Sequence, residues 1–85
     1  MITVYSKPNC MQCRMTYKAM DAKGLTYQVV DVAENAAALE YVKELGYLTV
    51  PVIVVSEHDH WGGFRPDHID RVAAGGATED ETIEA

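Results

Sequence analysis

The chain is short of base, of cysteine and of any long apolar run. Seven Lys and Arg stand against thirteen Asp and Glu, a formal net charge of -6 over 85 residues. Binding nucleic acid by counterion release needs clustered Lys and Arg, so no nucleic-acid partner is expected, and an anionic membrane surface is disfavoured for the same reason. The longest apolar stretch, Val50 to Val55, is far too short to span a bilayer. The opening Met1-Ile2-Thr3-Val4-Tyr5 lacks the basic start of a secretory signal and moves straight into a strand-like run, so a cytoplasmic address is expected. Only two cysteines exist, and in a reducing compartment a close pair is more often catalytic or metal-binding than structural.

What is present suits one small domain. The 48% hydrophobic content is enough for a single core, and the length leaves no room for a second. The domain is placed at residues 1–74. The remainder, from Gly75 to Ala85 ("GGATEDETIEA"), carries Glu79, Asp80, Glu81 and Glu84 without a base, and reads as a frayed, solvated, disordered tail. A monomer is expected.

Strand and helix signals alternate along the chain. Ile2 to Ser6 is β-branched and aromatic and reads as a buried strand. Pro8 and Asn9 break it, and Asn9 is the expected N-cap of a helix from near Cys10 to about Lys23, stopped by Gly24. Thr26 to Val32 is a second strand. Glu34 to Leu45 is a second helix, with Leu39, Val42 and Leu45 on its inner face and Gly46 as its stop. Pro51 to Ser56 is nearly all apolar, as in a strand buried on both faces. A turn near Glu57–Asp59 leads to a short strand around His60-Trp61, and Pro66 suits the first position of a last helix ending by Ala74. The order β-α-β-α-β-β-α predicts a parallel first pair, an antiparallel final hairpin and a four-stranded mixed sheet covered by three helices.

Both cysteines lie in Ser6-Lys7-Pro8-Asn9-Cys10-Met11-Gln12-Cys13-Arg14. A zinc site normally takes four ligands and the pair supplies two; His58 and His60 could add two more, but they read more simply as exposed hairpin side chains. A structural staple closing so small a loop contributes only about 2 kcal/mol before strain. The redox reading has the better physical basis. Cys10 falls at the first turn of a helix, where unpaired N–H groups and the macrodipole favour a thiolate. Lys7, Arg14 and Lys18 add positive charge nearby, although Lys18 is more simply part of a solvated face. Cys13, Thr16, Tyr17, Met20 and Gly24 share the face suited to packing on the sheet, with Cys10 at the exposed end. Cys10 is therefore the expected nucleophile and Cys13 the shielded resolving thiol. Met11 and Gln12, between them, tune the potential or meet a partner.

Three motifs together carry a resemblance. Cys10-Met11-Gln12-Cys13 after a strand, Thr49-Val50-Pro51 before a buried strand, and Trp61-Gly62-Gly63-Phe64-Arg65-Pro66-Asp67 resemble the thioredoxin superfamily, and within it the NrdH-redoxins, across residues 1–74. The resemblance implies a thioredoxin/glutaredoxin-like α/β fold. It implies a dithiol–disulfide oxidoreductase with no bound cofactor, reduced by thioredoxin reductase at the expense of NADPH and donating electrons to class Ib ribonucleotide reductase. It also implies a cis Val50-Pro51 peptide beside the dithiol. Partner contact falls on Met11, Gln12, Thr49, Val50, Pro51, Trp61, Gly62, Gly63 and Phe64, whereas Lys7, Arg14, Arg65 and Asp67 tune the thiolate or hold the structure.

The chain also departs from the family. Gly62 stands where NrdH-redoxins often have Ser, and Gly62-Gly63 resembles the glycine pair of glutathione-dependent glutaredoxins, which also use a lysine near the place of Lys7. Against glutathione, Cys-Pro-Tyr-Cys is absent, and Phe64-Arg65-Pro66 replaces the short polar or acidic residues that would hold the glutathione amino group. A glutathione-dependent glutaredoxin is the alternative oxidoreductase. A non-catalytic thioredoxin-like binding module, docking through a groove at Pro51 and Trp61, is the alternative outside enzymology.

Overall fold

The computed structural model describes residues 2–75; the acidic segment beyond Gly75 lies outside the described residues. Four strands and three helices follow in the expected order: β1 (Ile2–Ser6), α1 (Met11–Ala22), β2 (Tyr27–Asp31), α2 (Ala36–Glu44), β3 (Val52–Ser56), β4 (Asp59–Gly62) and α3 (Pro66–Ala73). The sheet runs β2-β1-β3-β4. β1 pairs parallel with β2, from Ile2 opposite Tyr27 to Ser6 opposite Asp31. It pairs antiparallel with β3, Val4 facing Ile53. β3 returns as a hairpin to β4, Ile53 facing Trp61, with an irregularity between Val54 and Ser56.

The sheet's two faces divide the helices. Ile2, Val4, Met20, Ile53, Trp61, Ile69 and Val72 form one core cluster, which takes in the inner faces of α1 and α3. Alternation along β1 sends Tyr5 to the other side, where its ring meets Tyr41 of α2 at 5.7 Å. The central pair β1 and β3 thus lies between helices on both sides, although only the first half of β3 is fully buried.

Three local expectations shift. The first helix is capped by Cys10, not Asn9. Asn9 takes a left-handed conformation (φ 60°), which asparagine tolerates better than most residues, and so completes the turn one residue early. In α2 the cap is Asn35, whose Oδ1 accepts the Ala38 N–H at 3.0 Å, and the helix buries Ala38 and Val42. Leu39, expected inside, is 36% exposed, because the i, i+4 pair of Ala38 and Val42 takes the sheet-facing stripe. Pro51 stands just outside β3 rather than opening it.

The end of α2 matters for the site. Gly46 adopts φ 100°, a conformation that a side chain would strain. Gly46 N–H donates to Lys43 O at 2.9 Å and Tyr47 N–H to Val42 O at 3.0 Å, the paired bonds of a Schellman stop. Tyr47 is thereby fixed to the helix as the chain turns toward Pro51.

Candidate active site

Cys10 and Cys13 are joined by a disulfide at the N-terminus of α1, with their Cα atoms 5.2 Å apart. Position produces this pairing: Cys10 is the cap, Cys13 is three residues into the helix, and one turn brings the two over each other. The Cys13 backbone N–H donates to Cys10 Sγ at 3.2 Å. On reduction the same sulfur keeps this donor and sits at the positive end of the helix, two effects that favour its thiolate. Both residues are largely enclosed, at 8% and 1% exposure, so the expected inequality holds in direction but Cys10 is only a narrow opening. Arg14 and Lys7 lie exposed on either side.

Two further segments close around the disulfide. The Val50-Pro51 peptide is cis, as the resemblance implied, and Pro51 is fully buried. Pro51 O accepts the Gly63 N–H at 2.8 Å. Gln12 Oε1 accepts the Phe64 N–H at 3.3 Å and lies 3.5 Å from where a Cβ on Gly63 would stand. The helix start, the cis-proline and the Gly62–Phe64 loop are therefore stitched together by main-chain donors. Met11, at 63% exposure, projects from the same end.

A cleft of about 200 Å³ opens next to the cis peptide, lined by Lys7, Val32, Leu39, Val42, Lys43, Tyr47, Leu48, Thr49 and Val50. Its walls are mainly apolar, and two lysines stand at its rim. Thr49 and Val50 make no main-chain hydrogen bond to the other described residues. Leu48, at 91% exposure, is the most exposed large apolar residue described.

Trp61 requires a correction. It was expected at the contact surface but is 4% exposed and belongs to the core. Its ring stacks on His68 with centroids 4.7 Å apart, and the Arg71 guanidinium lies 5.9 Å from the ring centre. Arg71 is itself held by a bidentate pair to Asp59 at 2.8 and 3.0 Å. The alternation of β4 directs Trp61 inward, where the largest side chain buries the most area. Phe64 packs partly against the same core. A groove walled by an accessible Trp61 is thus not formed.

Arg65 and Asp67 bind each other, Nε to Oδ1 at 3.1 Å and Nη2 to Oδ2 at 2.8 Å. The Arg65 hydrogen bonds hold the Asp67 carboxyl below its usual range. The pair braces the entry to α3, where Asp67 also meets the helix N-terminus.

Two residues outside the expected set come into view. The Tyr47 hydroxyl is 2.7 Å from His60 Nδ1, with the rings edge to face. The Tyr47 ring also covers Gly62. His60, considered above for zinc, is occupied here by Tyr47. Gly46 signalled that a helix ended before Tyr47, but no local pattern pointed from Tyr47 to β4.

A dithiol pair at a helix N-terminus, opposite a cis-proline on a four-stranded mixed sheet, defines a thioredoxin-fold thiol–disulfide oxidoreductase. The glutaredoxin family model matches residues 2–61. Glutaredoxin-like protein NrdH of Escherichia coli K12 is 34% identical over 71 residues, covering 84% of this chain and 86% of that protein. Its namesake in Lactococcus lactis subsp. cremoris is 36% identical over 73 residues, covering 86% and 100%. The solved structure of NrdH-redoxin from Escherichia coli, described as having a thioredoxin-like activity profile, superposes with a TM-score of 0.79 over 84% of this chain and 92% of that one. The chain belongs to the glutaredoxin family, among its NrdH glutaredoxin-like proteins.

Proposed function

We propose that this redoxin carries electrons from thioredoxin reductase, and so from NADPH, to class Ib ribonucleotide reductase in the cytoplasm. In the reduced protein the Cys10 thiolate attacks one sulfur of the partner's disulfide, forming a Cys10–partner bond and releasing the other partner sulfur as a thiolate. Cys13, deprotonated, then attacks Cys10 Sγ and expels the second partner thiolate. Two electrons have passed to the partner, and Cys10 and Cys13 are left as the disulfide. The reductase reverses these steps with the electron pair of NADPH. The unpaired main chain at Thr49 and Val50 suits an extended partner segment laid beside Pro51, where backbone hydrogen bonds give affinity. Met11 and Leu48 supply exposed apolar contact on either side.

The observation that carries this reading against glutathione is the Arg65–Asp67 pair. The first carboxylate after the glycine pair in sequence, Asp67, is already bound to the Arg65 guanidinium, and Phe64 precedes the pair. A glutathione ammonium would have to compete with Arg65 for that carboxylate. The apolar, partly covered surface suits a protein partner instead.

One feature favours glutathione as the second reading. Lys7 and Lys43 flank the cleft beside Thr49 and Val50, a suitable place for a carboxylate. The deciding experiment supplies purified class Ib ribonucleotide reductase with NADPH, thioredoxin reductase and this redoxin as sole donor. Deoxyribonucleotide formation that stops when the redoxin is omitted is expected. No formation in the complete mixture, with formation when glutathione and glutathione reductase replace thioredoxin reductase, rejects the reading.

A further inference from the structure

We propose that Tyr47 is a positioning residue for partner docking, and that glycine at position 62 is there to admit it. The inference rests on the reading that a partner segment lies along Thr49, Val50 and Pro51. Tyr47 stands at the start of that loop and is held from three sides. Its N–H donates to Val42 O at the end of α2. Its hydroxyl meets His60 Nδ1 on β4 at 2.7 Å. Its ring lies against Gly62, where a Cβ would come within 3.0 and 3.2 Å of Cδ1 and Cε1.

These contacts fix the start of the loop between α2 and β4. The other end of the loop is tied at Pro51 O by Gly63 N–H, so Tyr47 and Pro51 anchor the two ends of Leu48-Thr49-Val50. Partial burial pushes the Tyr47 hydroxyl's pKa up, which favours the neutral phenol at the His60 contact. The same ring lines the cleft that opens beside Thr49 and Val50. It therefore shapes the back of the proposed docking surface without touching the sulfurs.

Gly62 takes ordinary backbone geometry, so its lack of a side chain is a matter of space rather than of conformation. Any larger residue there displaces the ring, stretches the His60 bond and loosens the loop. Positions 47 and 62 are thus coupled, and a serine at 62 requires a different occupant over it.

The test compares wild type, Tyr47→Phe, Tyr47→Ala, Gly62→Ser and Tyr47→Ala/Gly62→Ser in single-turnover mixing of pre-reduced protein with two probes, insulin and hydroxyethyl disulfide. Wild type prefers insulin. Gly62→Ser and Tyr47→Ala each lower that preference by about fivefold, the scale of one net hydrogen bond, through weaker saturation rather than a slower limiting rate. Tyr47→Phe, which keeps the ring, lies between. The double variant loses no more than Tyr47→Ala alone, since the ring that serine displaces has gone. Losses that multiply in the double variant, or a preference left intact by both single changes, overturn the role of Tyr47. If Tyr47→Ala does not fold, a preference unchanged in Gly62→Ser and Tyr47→Phe overturns it equally. Wild-type protein with no preference for insulin overturns the docking reading itself.

Discussion

Gln12 Oε1 accepts the backbone N–H of Phe64 at 3.3 Å, joining the centre of the dithiol motif to a loop 52 positions away. It ties the segment that carries the sulfurs to the loop that follows β4. Gln12 is exposed, and its side-chain oxygen also serves as a link within the fold.

Gln12→Ala leaves the Phe64 N–H without its acceptor. Hydrogen exchange at the Phe64 amide is expected to accelerate, with a stability loss of about 1 kcal/mol or less in urea titration, as for one partly exposed hydrogen bond. Unchanged protection at Phe64 contradicts the link.

The two thiols are unequal in burial and in hydrogen bonding. Cys13→Ser should accumulate mixed disulfides through Cys10 when the reduced protein meets an oxidised partner, and Cys10→Ser should accumulate none. Intact-mass spectrometry reads both. Equal trapping by the two variants contradicts the assigned roles.

Trp61 is a packing residue, stacked on His68 and covered by Arg71. Trp61→Phe should lower stability by about 1 kcal/mol or more through the volume lost from the core, while the exchange rate with a protein disulfide is retained. A stable variant with impaired exchange would return Trp61 to the contact surface.

The Tyr27 hydroxyl donates to Asp21 Oδ1 at 2.9 Å. Burial first, then the Asp21 hydrogen bond and charge, push its pKa up to about 12. A raised folded-state value means that this contribution to stability is fully present below the ordinary tyrosine range near 10 and is lost as pH rises through about 12. Tyrosinate absorbance at 295 nm should show a late component that moves to lower pH in Asp21→Asn. A titration identical in that variant contradicts the pairing.

Much of this molecule was legible from local pattern. The β-branched runs and the glycine stops at Gly24 and Gly46 marked the strands and helix ends to within one or two residues, because each signal acts on its own neighbours. The cysteine pair at a helix start was legible for the same reason. Asn9 and Cys10 exchanged parts because both suit a helix entry, and only the left-handed turn at Asn9 decides between them. Trp61 and Tyr47 were not legible. Whether an aromatic beside Gly-Gly faces in or out depends on hairpin register, and the Tyr47–His60 bond exists only once α2 and β4 have been brought together by the sheet. The Gln12–Phe64 bond was not legible for the same reason, being set by the fold rather than by sequence neighbours.

In the proposed function, Cys10 and Cys13 receive electrons from a flavoprotein reductase rather than from glutathione. The most direct measurement follows NADPH consumption at 340 nm with insulin as acceptor, in one arm with thioredoxin reductase and in the other with glutathione and glutathione reductase. Turnover in the thioredoxin reductase arm, abolished by Cys10→Ser, is predicted. Turnover confined to the glutathione arm would contradict it.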